Sequence, residues 1–178
     1  MSDSIFRRRT TLLTATLAAA AALALAASGT GSAATAAKAG STTCTGANTK
    51  VTAQTVTRPV NHLLLTVKNT GSKTCHLYGY PALRFTDAQV VPPVVEDSQP
   101  QAVTTLRPGQ SGYAGVSLSS AEGSDGYTAK TLSVIFQNRA LDFVGSGVKV
   151  PLPAKGVYID SSLRTTYWLD DPQDAISW

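Results

Sequence analysis

From Cys44 onward no run of ten or more residues repeats its apolar positions every 3.6 residues, which removes helical folds from consideration. Short alternating or β-branched runs take their place, each closed by Gly, Pro, Asn or Asp. They are Val51–Val56, His62–Val67, Cys75–Tyr80, Leu83–Phe85, Val103–Leu106, Tyr113–Leu118, Leu132–Phe136, Val148–Leu152, Val157–Ile159 and Thr165–Leu169. Strands at intervals of roughly 8–15 residues with turn chemistry between them predict an all-β fold, an immunoglobulin-like antiparallel β-sandwich. His62–Val67 is the densest apolar run and reads as a central strand.

The punctuation carries its own expectations. Asn69-Thr70-Gly71 is a turn in which the glycine can take positive φ, and Pro108-Gly109 is a turn dipeptide. Asp87-Ala88-Gln89 is a turn before Val90-Val91. Pro92 to Pro100 reads as a loop or edge connection, because proline donates nothing to a sheet ladder. Ala121–Gly126 is a loop, Gly145–Gly147 breaks the chain, and Asp170–Trp178 forms a tail. Trp178 either packs back onto the domain or is a loose end.

The first 36 residues have a different character. Arg7, Arg8 and Arg9 precede an uncharged Ala/Leu-rich run from Leu12 to Ala27, and small residues follow at Ser32–Ala36. This is the pattern of a secretory signal peptide, residues 1–36, and the run falls short of the ~20 residues a spanning helix needs. Arg8-Arg9 is a loose twin-arginine pattern lacking the usual apolar residue after the pair, so the general secretory route is favoured. Cys44 follows Ser41-Thr42-Thr43, which is no lipoprotein signature. The expected organisation is signal 1–36, flexible lead-in 37–43 and one β-sandwich domain 44–178. The protein is expected to be secreted, extracellular or cell-wall associated, with no stable membrane insertion once the signal is removed.

Charge excludes one class of partner. The chain has 15 basic and 11 acidic residues, and the signal takes three arginines and Asp3, leaving 12 against 10. The remaining cations are scattered along the sequence without a cluster, so nucleic acid is not expected as a ligand.

Two cysteines follow the signal, Cys44 and Cys75. An even count in an exported chain argues for a disulfide, closing a loop of about 30 residues worth roughly 3–4 kcal/mol in the chain-entropy model. The alternative is two buried free thiols. A redox pair would be closer in sequence, and His62 and His76 are not at zinc-site spacing with both cysteines.

A resemblance enters with these residues. Cys44, the strand ending in Val67-Lys68-Asn69-Thr70-Gly71, and Cys75-His76-Leu77-Tyr78-Gly79-Tyr80-Pro81 with Leu83-Arg84-Phe85-Thr86-Asp87 resemble the domain of unknown function 4232 family. The similarity continues through Leu106-Arg107-Pro108-Gly109-Gln110-Ser111 and extends to about Trp168. The sequence departs from the family pattern at Ala88-Gln89, where many relatives carry a glycine turn. The resemblance implies export and a β-sandwich with its two cysteines joined. It implies no activity.

The chemistry-bearing residues point away from catalysis. His62 and His76 are the available imidazole bases, one at a strand start and one beside a cysteine, and no Gly-x-Ser-x-Gly elbow occurs. Glu96-Asp97 and Asp170, Asp171 and Asp174 lie in polar stretches without a glycine-framed ligand loop, and read as solvated charges. No catalytic residue, cofactor or metal is expected. The aromatic residues are the candidates for ligand contact: Tyr78 and Tyr80 around Gly79, and the neighbours Tyr167 and Trp168, of which one faces the core and the other the surface. The expected function is a secreted, non-catalytic binding or structural module, monomeric, whose partner is a protein or a cell-wall glycan. A secreted protease inhibitor presenting the Val91–Pro100 loop is the alternative.

Overall fold

The computed structural model describes residues 41–86 and 91–178. The signal, the start of the lead-in and the Asp87–Gln89 turn lie outside the described residues. Eleven strands and one short helix appear among those described. The all-β expectation therefore holds, with one disulfide.

The first sheet is regular. Strand β2 (Thr49–Val56) runs antiparallel to β3 (His62–Asn69) in unbroken register from Thr49 opposite Asn69 to Val56 opposite His62. Strand β3 pairs in turn with β6 (Ser111–Ser117), again without a slip, and β11 (Arg164–Thr165) closes the order β11-β6-β3-β2. Alternation explains the face. Val51, Leu63, Leu65, Val67, Ala114 and Val116 share one buried side, and β3 is central as its apolar density predicts.

The second sheet is interrupted. Its order is β1-β4-β8-β9, from β1 (Thr42–Thr43), β4 (Cys75–Phe85), β8 (Leu132–Gln137) and β9 (Phe143–Val150), with β5 (Thr104–Leu106) also on β4. The β4–β8 register shifts between Tyr78 and Ala82, and the β8–β9 register between Val134 and Phe136. Gly145–Gly147, expected to break the chain, instead lies inside β9 at that second shift. Gly145 supplies a φ of 74° where an L side chain would be strained. Pro81, expected to end a strand, sits in the first bulge, where no ladder donor is required. A two-stranded sheet of β7 (Tyr127–Ala129) and β10 (Val157–Ile159) completes the set.

The two inner faces form one apolar cluster in which the regular sheet's leucines and valines meet Leu77, Leu83, Phe85, Leu132, Val134, Phe136 and Trp168. Cys44 and Cys75 are bonded with Cα atoms 5.0 Å apart. Their bond joins β4 to the segment running beside it in the same sheet, whereas in antibody domains the disulfide crosses between sheets.

Two turns differ in detail from expectation. Gly71 does not use positive φ. The buried Asn69 builds that turn instead, accepting from the Gly71 N–H at 2.9 Å and donating to the Lys73 and Leu106 carbonyls. Gly109 does take positive φ, at 82°. The C-terminal tail is not free. Asp171 accepts from the N–H groups of Gln173 and Asp174 and so caps helix α1 (Pro172–Ile176). The helix rests on β6 at Gly115, where a Cβ would overlap the Ala175 carbonyl.

Candidate binding cleft

The first bulge in β4 builds the site. Four residues of β4 span the distance that two cover on β8, so Gly79-Tyr80-Pro81 bows out of the ladder. Gly79 has a φ of 59°, and a Cβ there would collide with the Gln137 side chain. The polar groups freed by the bow are satisfied individually. Gln137, 5% exposed, accepts from the Tyr80 N–H at 3.0 Å and donates to the Leu141 carbonyl at 3.0 Å. The Gly79 carbonyl accepts from the Trp168 N–H at 3.1 Å.

A second segment forms the opposite wall. Residues 164–169 leave the regular sheet, with Thr166 N–H bonding Gly115 and Leu169 pairing with Tyr113, and reach the bulge at Trp168. That crossing is why the strand expected over Thr165–Leu169 is cut short to Arg164–Thr165. The proline-rich loop is fastened to the same segment. Ser98, buried in a 3₁₀ turn at Glu96–Ser98, accepts from the Tyr167 N–H at 3.0 Å, and Thr104 donates to the Trp168 carbonyl at 2.8 Å.

Between these walls lies a cleft of about 450 Å³ that brings Tyr78, Tyr80, Tyr167 and Trp168 together. Tyr80 and Tyr167 meet edge to face with centroids 5.6 Å apart. The Tyr167 hydroxyl donates to Glu96 at 3.0 Å. Burial, then the hydrogen bond to that carboxylate and its charge, raise the Tyr167 pKa above the usual 10.0. Trp168 is the core member of its pair. It is 1% exposed and stacked on Phe136 at 5.9 Å, and its indole N–H is buried without a partner. Tyr167 is the half-buried member on the cleft side.

Sequence reasoning missed the rim. Arg139, Leu141 and Val103 border the cleft, the last two 57% and 49% exposed, and Gln137 holds its floor. Only Gly79 between two tyrosines hinted at a bulge. The remaining candidates lie elsewhere or act structurally. His62 contacts the Val60 carbonyl and His76 the Thr105 hydroxyl, Asp171 is a helix cap, and Glu96 is a tyrosine's partner instead of a free loop charge. Among the described residues no group of three His, Cys, Asp or Glu side chains is placed to hold a metal ion, and no helix is long and apolar enough to cross a membrane.

Fold and cleft together define a disulfide-closed, β-rich protein with an aromatic recess at a bulged strand. Residues 44–169 match the family model described as a domain of unknown function (DUF4232), and the chain belongs to that family. No curated protein and no solved structure matches it.

Proposed function

We propose that the protein is a secreted, non-catalytic binding module of the extracellular space or cell envelope, and that the Tyr78–Tyr80–Tyr167 cleft receives its ligand. One observation carries the reading: a buried scaffold of Gln137, Ser98, Thr104 and Trp168 holds three partly exposed tyrosines around one recess. Pre-set aromatic faces with a mixed polar and apolar rim suit a sugar ring or a protein side chain. The disulfide fits an oxidising compartment.

The test is retention of purified protein on isolated cell walls and capture of partners from culture supernatant. Tyr80→Ala and Tyr167→Ala should abolish whichever is seen, and competition by soluble glycan separates the two ligand classes. Retention unchanged in both variants would overturn the cleft assignment. The protease-inhibitor reading draws on the same fastened loop, since an inhibitor must present a rigid segment. Inhibition of a common extracellular protease, lost on cleaving the Val91–Pro100 loop, would favour it instead.

A further inference from the structure

A second groove, of about 500 Å³, crosses the face of β4, β8 and β9 and has a different chemistry. Arg84, Ser133 and Lys149 form one cross-strand row, with Arg84 opposite Ser133 and Ser133 opposite Lys149. Their flanking residues Leu83, Phe85, Leu132, Val134 and Val150 are buried, whereas Arg84 and Lys149 are exposed and Ser133 half-buried, so this row points to solvent. With strands ~4.8 Å apart, Arg84 and Lys149 stand about 10 Å from one another at the backbone, either side of the serine. Lys130 enters from the β7–β8 connection, its ammonium donating to the Lys155 carbonyl at 2.7 Å. A Cβ at Gly147 would overlap the Ser133 hydroxyl, so glycine leaves that hydroxyl room. Among the described residues the groove is lined by three cations and no carboxylate.

We infer that this groove binds the phosphate groups of a phosphodiester polymer. Like charges gathered on one face without acids repel one another, and an anion between them relieves that repulsion while gaining charge-assisted hydrogen bonds. The cations come from two strands and a turn, so they line the groove over a length that a chain of repeated phosphates can contact at more than one point. Leu132, Val150, Pro151 and Leu152 also line the groove, so an anionic lipid headgroup is the competing ligand, and vesicles test it directly.

Calorimetric titration of the purified, disulfide-intact protein tests it. The probes are soluble poly(glycerol phosphate), polyglutamate of matched charge, and vesicles of phosphatidylglycerol and phosphatidylcholine. The phosphate polymer should bind, and the double variant R84Q/K149Q should weaken it by about ten-fold or more and flatten its salt dependence, as two phosphate contacts are lost. K50Q/K68Q removes the same charge from the facing, exposed pair on β2 and β3 and should change affinity less than about three-fold. Near-UV circular dichroism of both variants, and the single variant K130Q, guard against a folding defect in place of a lost contact. Equal loss in both double variants would reduce the effect to net charge and overturn the site. Equal or tighter binding of polyglutamate or of the vesicles would overturn the phosphodiester assignment, and no binding of the wild-type protein to poly(glycerol phosphate) would overturn the proposal outright.

Discussion

The β2–β3–β6 sheet and the β4–β8–β9 sheet share one core yet were built under different constraints. The first runs eight residue pairs along β2–β3 and seven along β3–β6 with no slip. The second slips twice over a shorter span, and both candidate binding surfaces lie on it. A regular ladder satisfies its own polar groups and needs only alternation. A bulged one leaves N–H and C=O groups that side chains must satisfy, and those side chains then fix the neighbouring surface. On this view the regular sheet supplies stability, and the bulged sheet spends part of that stability to hold tyrosines and cations where a ligand can reach them.

Truncating one large core residue on each side should separate the two roles. Trp168→Ala removes a fully buried ring stacked on Phe136 and should cost about 3–5 kcal/mol, while Leu65→Ala in the regular sheet should cost about 2–5 kcal/mol. Urea unfolding measures both. The comparison turns on binding. Under conditions where each variant remains folded, Leu65→Ala should keep the cleft's affinity and Trp168→Ala should lose it. Equal loss of affinity would mean the sheets are not functionally distinct.

The disulfide lies at the junction. Cys44 precedes β2 and Cys75 opens β4, so the bond clamps both ends of the β2–β3 hairpin against the bulged sheet. Replacing both cysteines by alanine should lower stability by roughly 3–4 kcal/mol for a loop of this length, seen as an earlier urea midpoint. A smaller and more local effect is expected at Gln137. Gln137→Ala strands the Tyr80 N–H and the Leu141 carbonyl, and should cost about 1–3 kcal/mol together with cleft binding. Gln54, exposed on β2, is the regular sheet's counterpart, and its alanine variant should stay within about 0.5 kcal/mol. A neutral Gln137→Ala would show that the bulge holds itself.

The same contrast decides what could be read from sequence. Val51–Val56 and Tyr113–Leu118 are legible because they alternate, and His62–Val67 because its apolar density marks the central strand of an unbroken ladder. Leu132–Phe136 is legible from its β-branched and aromatic residues, although its partners are bulged. Gly145–Gly147 looked like a chain break because glycines inside a strand and between strands are chemically the same, and only pairing distinguishes them. Thr165–Leu169 reads as a strand, but its backbone bonds are divided between Tyr113 and Gly115 on β6, Gly79 on β4, and Pro93 and Val95 of the proline-rich loop, three segments far apart in sequence. The four aromatic candidates were found by type. Their convergence was not, because it rests on Gln137 and Ser98, polar residues whose burial no local pattern announces.

The smallest predicted effect is confined to the cleft and depends on pH. Burial and then Glu96 raise the Tyr167 pKa, so the folded protein keeps the phenolic proton after the unfolded chain, titrating near 10.0, has begun to lose it. The sign follows. This stabilising contribution is constant below pH 10 and declines as pH rises past 10 through the folded-state value. Urea midpoints of wild type and Tyr167→Phe between about pH 9 and pH 11 should therefore converge with rising pH, once the common alkaline trend is removed. Tyrosinate absorbance should show one late-ionising tyrosine in the wild type that the variant lacks. Glu96→Gln keeps an acceptor for the hydroxyl but removes the carboxylate charge, so the ionisation should move back toward 10 without reaching it, because burial remains. A complete return to 10 would mean that Glu96 alone sets the shift and that Tyr167 is as open to water as a surface tyrosine. The edge-to-face pair with Tyr80 would then be too loose to present a fixed face, and the contrast between a scaffold sheet and a binding sheet would lose its sharpest local support.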